Sequence, residues 1–139
     1  METINTAIFL DDTHYSFSYR IGTMEGCCGA GVIAALEVHD DAVLSLPTQQ
    51  RSWIALKIGE CIVRSMKENN FGMALCTTLA PEVEVHDPSQ AYYHSMSSSH
   101  KPELNLGTIF EQLGAERSCT VRNPRTGNSI TSYTLDVTD

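Results

Sequence analysis

No apolar run in this sequence reaches the roughly 18 residues that a membrane helix needs. Its amino terminus carries Glu2, Asp11 and Asp12 where a secretory leader would be basic and then apolar. With neither signal present, the expected location is the cytoplasm, and no membrane partner is expected. Basic residues are scarce: nine Lys and Arg stand against 17 Asp and Glu, for a net charge of -8. A grip on phosphate backbones takes clustered cations, so nucleic acid is not an expected partner. The acids are spread along the chain, and their plain role is solubility. Five cysteines make an odd count, with Cys27 and Cys28 adjacent and no CxxC spacing. They read as reduced thiols, not as a disulfide framework. Neither they nor His14, His86, His94 and His100 are spaced as metal ligands, so no metal is expected. Zinc would require Cys27 or Cys28 to meet a distant histidine.

With 139 residues, 42% of them hydrophobic, the chain has room for one core, and residues 1–139 read as a single domain. The segment from Leu46 to Ala80 organises it. Ala55, Ile58, Ile62 and Met66 recur at helical spacing, widened by Trp53, Leu56, Cys61 and Val63. Lys57, Glu60, Arg64, Lys67 and Glu68 take the other side. Pro47 suits the entrance of a helix over 48–69, and Asn69-Asn70 suits an exit through a left-handed residue. Phe71 to Leu79 then predicts an apolar strand buried on both faces.

Before this unit, Ile4–Leu10 and His14–Ile21 read as strands joined by a tight turn at Asp11-Asp12. The run from Gly22 to Gly31 reads as a glycine-permitted loop or bulge. It is not a phosphate loop, because no Lys-Ser or Lys-Thr follows. Val32–His39 and Ala42–Leu46 read as third and fourth strands, the latter parallel to Phe71–Leu79 through a right-handed crossover. After the unit comes a long irregular stretch to Pro102, with a short helix near Ser89–Ser95. A helix over Leu104–Leu113 stopped by Gly114 follows, then strands at Ser118–Arg122 and Ser129–Val137.

This predicts an α/β (α+β) fold: a mixed, twisted sheet of six to seven strands with one long and one or two short helices. The order resembles the Gcn5-related N-acetyltransferase (GNAT) fold without the helical segment that such proteins usually carry near their start. The most specific match is Phe110-Glu111-Gln112-Leu113-Gly114-Ala115, followed by a strand, Asn-Pro-Arg-Thr-Gly-Asn and another strand. It is similar to the family's closing pattern. The resemblance covers Val32 to Val137 as an order of elements.

That resemblance implies acetyl-coenzyme A as cofactor, held where Gln50-Arg51-Ser52-Trp53-Ile54-Ala55 aligns with a loop that the family keeps glycine-rich. Gln50, Arg51 and Ser52 are the implied cofactor residues, and Trp53 is expected to obstruct phosphate. Glu37 and His39, two apart and therefore on one face of a strand, are the candidate catalytic bases. Phe110 stands where many family members have a general-acid tyrosine. With the glycine and the tyrosine both replaced, the leading expectation is a binding or structural protein without a cofactor. Tyr92, Tyr93 and His94 would contact a protein partner. Size and the lost motif also resemble small bacteriophage proteins, virion-associated or host-directed. The alternative is an acyl-coenzyme A-dependent N-acetyltransferase. Oligomeric state is not set by the sequence.

Overall fold

The computed structural model describes residues 2–24, 27–79, 104–122 and 129–138. The backbone forms β1 (Glu2–Leu10), β2 (Thr13–Met24), β3 (Cys27–Val38), a 3-10 helix (Asp41–Ser45), α1 (Thr48–Glu68) and β4 (Met73–Leu79). It ends with α2 (Leu106–Gln112), β5 (Glu116–Arg122) and β6 (Ser129–Asp136). The strands make one sheet in the order β1-β2-β3-β4-β6-β5. Among the described residues only β3 and β4 pair in parallel; the other neighbours are antiparallel. The mixed α/β architecture thus agrees with the sequence reading.

Local chemistry explains the boundaries. Asp11 and Asp12 both have positive φ, 48° and 66°, the geometry of a two-residue hairpin turn that matches strand twist. At the end of α1, Asn70 takes φ 62°, the left-handed exit expected there. Gly114 (φ 90°) turns the chain out of α2. Asn105 caps that helix by accepting the Gly107 amide at 2.7 Å.

Both helices lie on one face of the sheet. Ile58, Ile62 and Met66 of α1 are fully buried there with Tyr19, Ile33 and Leu36. The helices touch where a Cβ on Gly59 would lie 3.2 Å from Leu113 and 3.3 Å from Ile109. Burial of this stripe is the main stabilising term, at about 1.5–3 kcal/mol per large side chain.

Three expectations are corrected. Residues 42–46 are not a strand: Val43 N–H bonds to Asp40 O at 3.0 Å and Leu46 N–H to Val43 O at 3.2 Å, one 3-10 turn followed by Pro47. Val43 buries its side chain, and the Asp40 carboxylate accepts the Ser16 amide at 2.6 Å, so the segment folds against β2. The parallel partner of β4 is therefore β3. The described residues of the Gly22–Gly31 run are strand rather than loop, and their irregularity is a register shift between Thr23 and Met24 and a left-handed Gly29 (φ 80°), the bulge alternative of the expectation. Finally, β4 is buried chiefly on its helix side, through Ala74 and Cys76, whereas Met73 is 39% exposed.

Candidate functional site

β3 and β4 pair at three positions only, Ala30 with Met73, Gly31 with Ala74 and Val32 with Leu75. β3 continues to Val38 and β4 to Leu79 without further pairing to each other. The cause lies in β3. Ser18 opposes Glu37 and Arg20 opposes Ala34, so Tyr19 faces two residues, Ala35 and Leu36. That is a bulge, and Ala35 has φ 54°. A bulge bends its own strand, and a left-handed non-glycine residue costs about 1–3 kcal/mol, which the surrounding pairing must offset. The sheet is thus split at the carboxyl ends of β3 and β4, the end from which the chain proceeds into α1.

At that end α1 begins directly after Pro47, with no side-chain cap and no acidic residue in its first turn. The Gln50 and Arg51 amides bond to Pro47 O at 3.0 Å each. Uncapped amides and the helix dipole give this end a positive potential. The expected loop is absent here: Gln50, Arg51 and Ser52, all half-buried, already belong to the helix. The Arg51 guanidinium folds back to donate to the Leu46 carbonyl and, at 3.1 Å, to Thr48 Oγ1. Trp53 does not cover the helix end. It lines a groove on the flank of α1 beside Thr6–Phe9, with Lys57 Nζ 5.3 Å from its ring centroid.

Glu37 and His39 are both exposed. Glu37 is therefore not the buried carboxylate that a base at the sheet centre would be. His39 follows β3, where its amide bonds to Ser16 O at 2.9 Å and its Nε2 lies 2.9 Å from Ser18 Oγ. Ser18 is almost fully buried and directly opposes Glu37, so the structure brings Ser18, Glu37 and His39 together beyond the bulge. Ser18 was invisible as a site residue in the sequence, because only the register reveals its partner. Tyr92, Tyr93 and His94 lie outside the described residues, as do the Cys27 and Cys28 side chains.

Phe110 is fully buried, its ring edge-on to Tyr133 at 6.5 Å. Tyr133 donates to Glu111 Oε1 at 3.0 Å, and Arg117 holds the same oxygen at 2.7 Å. Burial above all, then the Glu111 carboxylate, pushes the Tyr133 phenol above its ordinary range. Tyr19 is shifted the same way, again chiefly by burial. A folded phenol that stays protonated where the unfolded one ionises, near pH 10, stabilises the fold fully at neutral pH. That contribution is lost as pH rises beyond about 10. Urea midpoints measured from pH 8 to 11 are expected to fall at the alkaline end, less steeply in Tyr133→Phe. An identical fall in the variant would rule Tyr133 out as a source.

No family model and no curated protein matches the sequence. Among solved structures, the aminoglycoside 6'-N-acetyltransferase from Enterococcus faecium is similar at TM-score 0.60 and 10% identity, over 99% of this chain and 76% of that one. A protein from Desulfovibrio desulfuricans assigned to the GNAT acetyltransferase family is similar at TM-score 0.54 and 14% identity, over 94% of this chain. The present chain spans 65% of the length of that protein. At such identities the likeness shows the fold, which is GNAT-like.

Proposed function

We propose that this chain binds an acyl-coenzyme A in the split between β3 and β4 and transfers the acyl group to an amine. One observation carries the reading: the split opens beyond the bulge at Ala35, and the uncapped, acid-free start of α1 stands at its open end. The GNAT-like fold supports it.

The donor set fits an anionic cofactor in one respect, since the first amides of α1 suit a pyrophosphate. Gln50 and Ser52 stand at the same end of the helix. Arg51 contributes only after releasing Leu46. When bound, the coenzyme supplies an acyl group activated as a thioester. The chain's own part is to hold that group and take a proton from the incoming amine, for which His39, oriented by Ser18, is the base, with the exposed Glu37 opposite Ser18 as its neighbour.

Acetyl-coenzyme A at a hundredfold excess over its Kd would stabilise the native state by about 2.7 kcal/mol. For a domain of this size, at about 3–4 °C per kcal/mol, that raises Tm by roughly 8–11 °C. The same samples, given a panel of primary amines, are expected to release free thiol, and more slowly in His39→Gln. An unchanged Tm at millimolar ligand overturns the reading.

A second reading, a binding or structural component without acyl transfer, rests on Phe110: at this position the chain has no proton to give to a leaving thiolate. Under it, Tyr92, Tyr93 and His94 would meet a protein partner, in a phage particle or on a host protein. A null result with acetyl-coenzyme A, together with an intact fold, would favour it.

A further inference from the structure

We infer that β1 is a self-pairing edge, through which two copies of this chain join antiparallel into one continuous sheet. The inference does not rest on the acyl-transfer reading. Among the described residues β1 is the first strand of the sheet and has a paired neighbour, β2, on one side only. Edge strands are ordinarily blunted by Lys, Pro, bulges or shortness. This one has none of these: Glu2–Leu10 is nine residues in unbroken register with β2 and without Lys or Pro. At the usual rise it offers about 30 Å of edge.

Beside the edge runs a groove of about 290 Å³, walled by Thr6–Phe9 on one side and by Trp53, Lys57, Glu60, Cys61 and Arg64 of α1 on the other. Trp53, 39% exposed, stands on the helix side of this edge, and Phe9, 70% exposed, stands on the opposite face beside His14. Glu2, Ile4, Thr6, Ile8 and Leu10 share the helix side, because Ile4 opposes Tyr19 and Thr6 opposes Phe17, and the Tyr19 hydroxyl bonds to Cys61 O of α1 at 3.2 Å.

Charge complementarity selects the occupant. In the register that pairs all nine residues with their own inverted copy, Thr6 meets Thr6, Ile4 meets Ile8 and Glu2 meets Leu10. The second copy's Glu2 then arrives on the helix side, at the Trp53–Lys57 end of the groove. There Lys57 is held over the indole and bonded to Glu60 at 3.3 Å. The two-fold axis makes the same contact twice. In a chain of net charge -8, with nine cations in all, this gives two acid–base contacts at a seam that also holds Glu60 and Arg64.

The test is sedimentation velocity from about 1 to 200 µM at low salt, read against a monomer mass of 15.3 kDa. Expected is a concentration-dependent shift to twice that mass, weakened about tenfold by Glu2→Lys and by Lys57→Glu alone. The double variant E2K/K57E, which reverses both charges, is expected to restore association. Amide exchange at high and low concentration should protect β1 in the dimer, a readout independent of any variant. A monomer throughout the range overturns the inference. So does a dimer that leaves β1 amides unprotected or ignores both charge reversals.

Discussion

Phe110→Ala is expected to lower stability by about 4 kcal/mol, within the range for deleting a buried aromatic. The ring is fully buried, packed edge-on against Tyr133 between α2 and the sheet. Such an aromatic pair adds about 0.5–1.5 kcal/mol beyond the area buried. Total stability for a domain of this size is about 5–15 kcal/mol, so the loss takes a large share of it. Tm should fall by roughly 12–16 °C at about 3–4 °C per kcal/mol. Thermal unfolding followed by circular dichroism measures this, and a fall under 3 °C would mean that α2 is held by something other than this ring. Phe110→Tyr separates packing from chemistry. It keeps the ring and adds a hydroxyl, at about 1–3 kcal/mol if that hydroxyl is left unpaired. A variant that loses little stability and gains acyl-transfer rate would identify position 110 as a leaving-group site that the present chain has given up.

Gly31→Val is expected to cost about 3 kcal/mol and to abolish the acetyl-coenzyme A shift together with it. Gly31 sits in the three-position β3–β4 junction. A Cβ there would stand 2.5 Å from Met66 Sδ and 2.6 and 2.9 Å from two ring carbons of Phe71. Met66 is fully buried at the end of α1, so its sulfur has little room to retreat. The same corner is tied by Phe71 N–H to Met66 O at 2.9 Å, Gly72 N–H to Gly29 O at 2.8 Å and Val137 N–H to Gly72 O at 3.0 Å. Overpacking usually costs about 1–3 kcal/mol. Valine, with two further methyl groups, belongs at the upper end or beyond. Chemical denaturation gives the stability term. Unchanged stability would show that α1 can lift from β3 freely, and an acetyl-coenzyme A shift that survives the substitution would show that the split does not depend on this junction.

The sequence carried the long helix well, because Ile58, Ile62 and Met66 repeat at the spacing of one buried face. It carried the Asp11-Asp12 hairpin and the Asn70 and Gly114 exits for an equally local reason, since left-handed positions select those residue types. Residues 42–46 misled because a short, mostly apolar run such as Ala-Val-Leu-Ser-Leu suits a strand and a 3-10 turn alike at that length. What decided between them was the reach of Asp40 to Ser16 in β2, a contact between residues distant in sequence. The candidate site was legible only in part. Glu37 and His39 were found from their alternation, but Ser18 meets them through register and Ala35 is an ordinary alanine in an unusual conformation. Trp53 looked obstructive because an alignment places a residue along the chain and says nothing of the direction in which its side chain leaves the helix.

The three-position junction also has a mechanical meaning. On one side of it β1, β2 and β3 form an antiparallel triplet, and on the other β4, β6 and β5 form a second. Within the triplets neighbours are paired along nearly their whole length, nine positions for β1 with β2 and seven for β4 with β6. The sheet is therefore two stiff plates and a short seam, and its softest deformation is rotation of one plate against the other about the Ala30–Val32 line. α1 lies across both plates, with Tyr19 beneath it on one and Ala74 in the same core on the other. It therefore braces the seam from one face, so any change in the angle between the plates has to be matched by a shift of α1 on one of them.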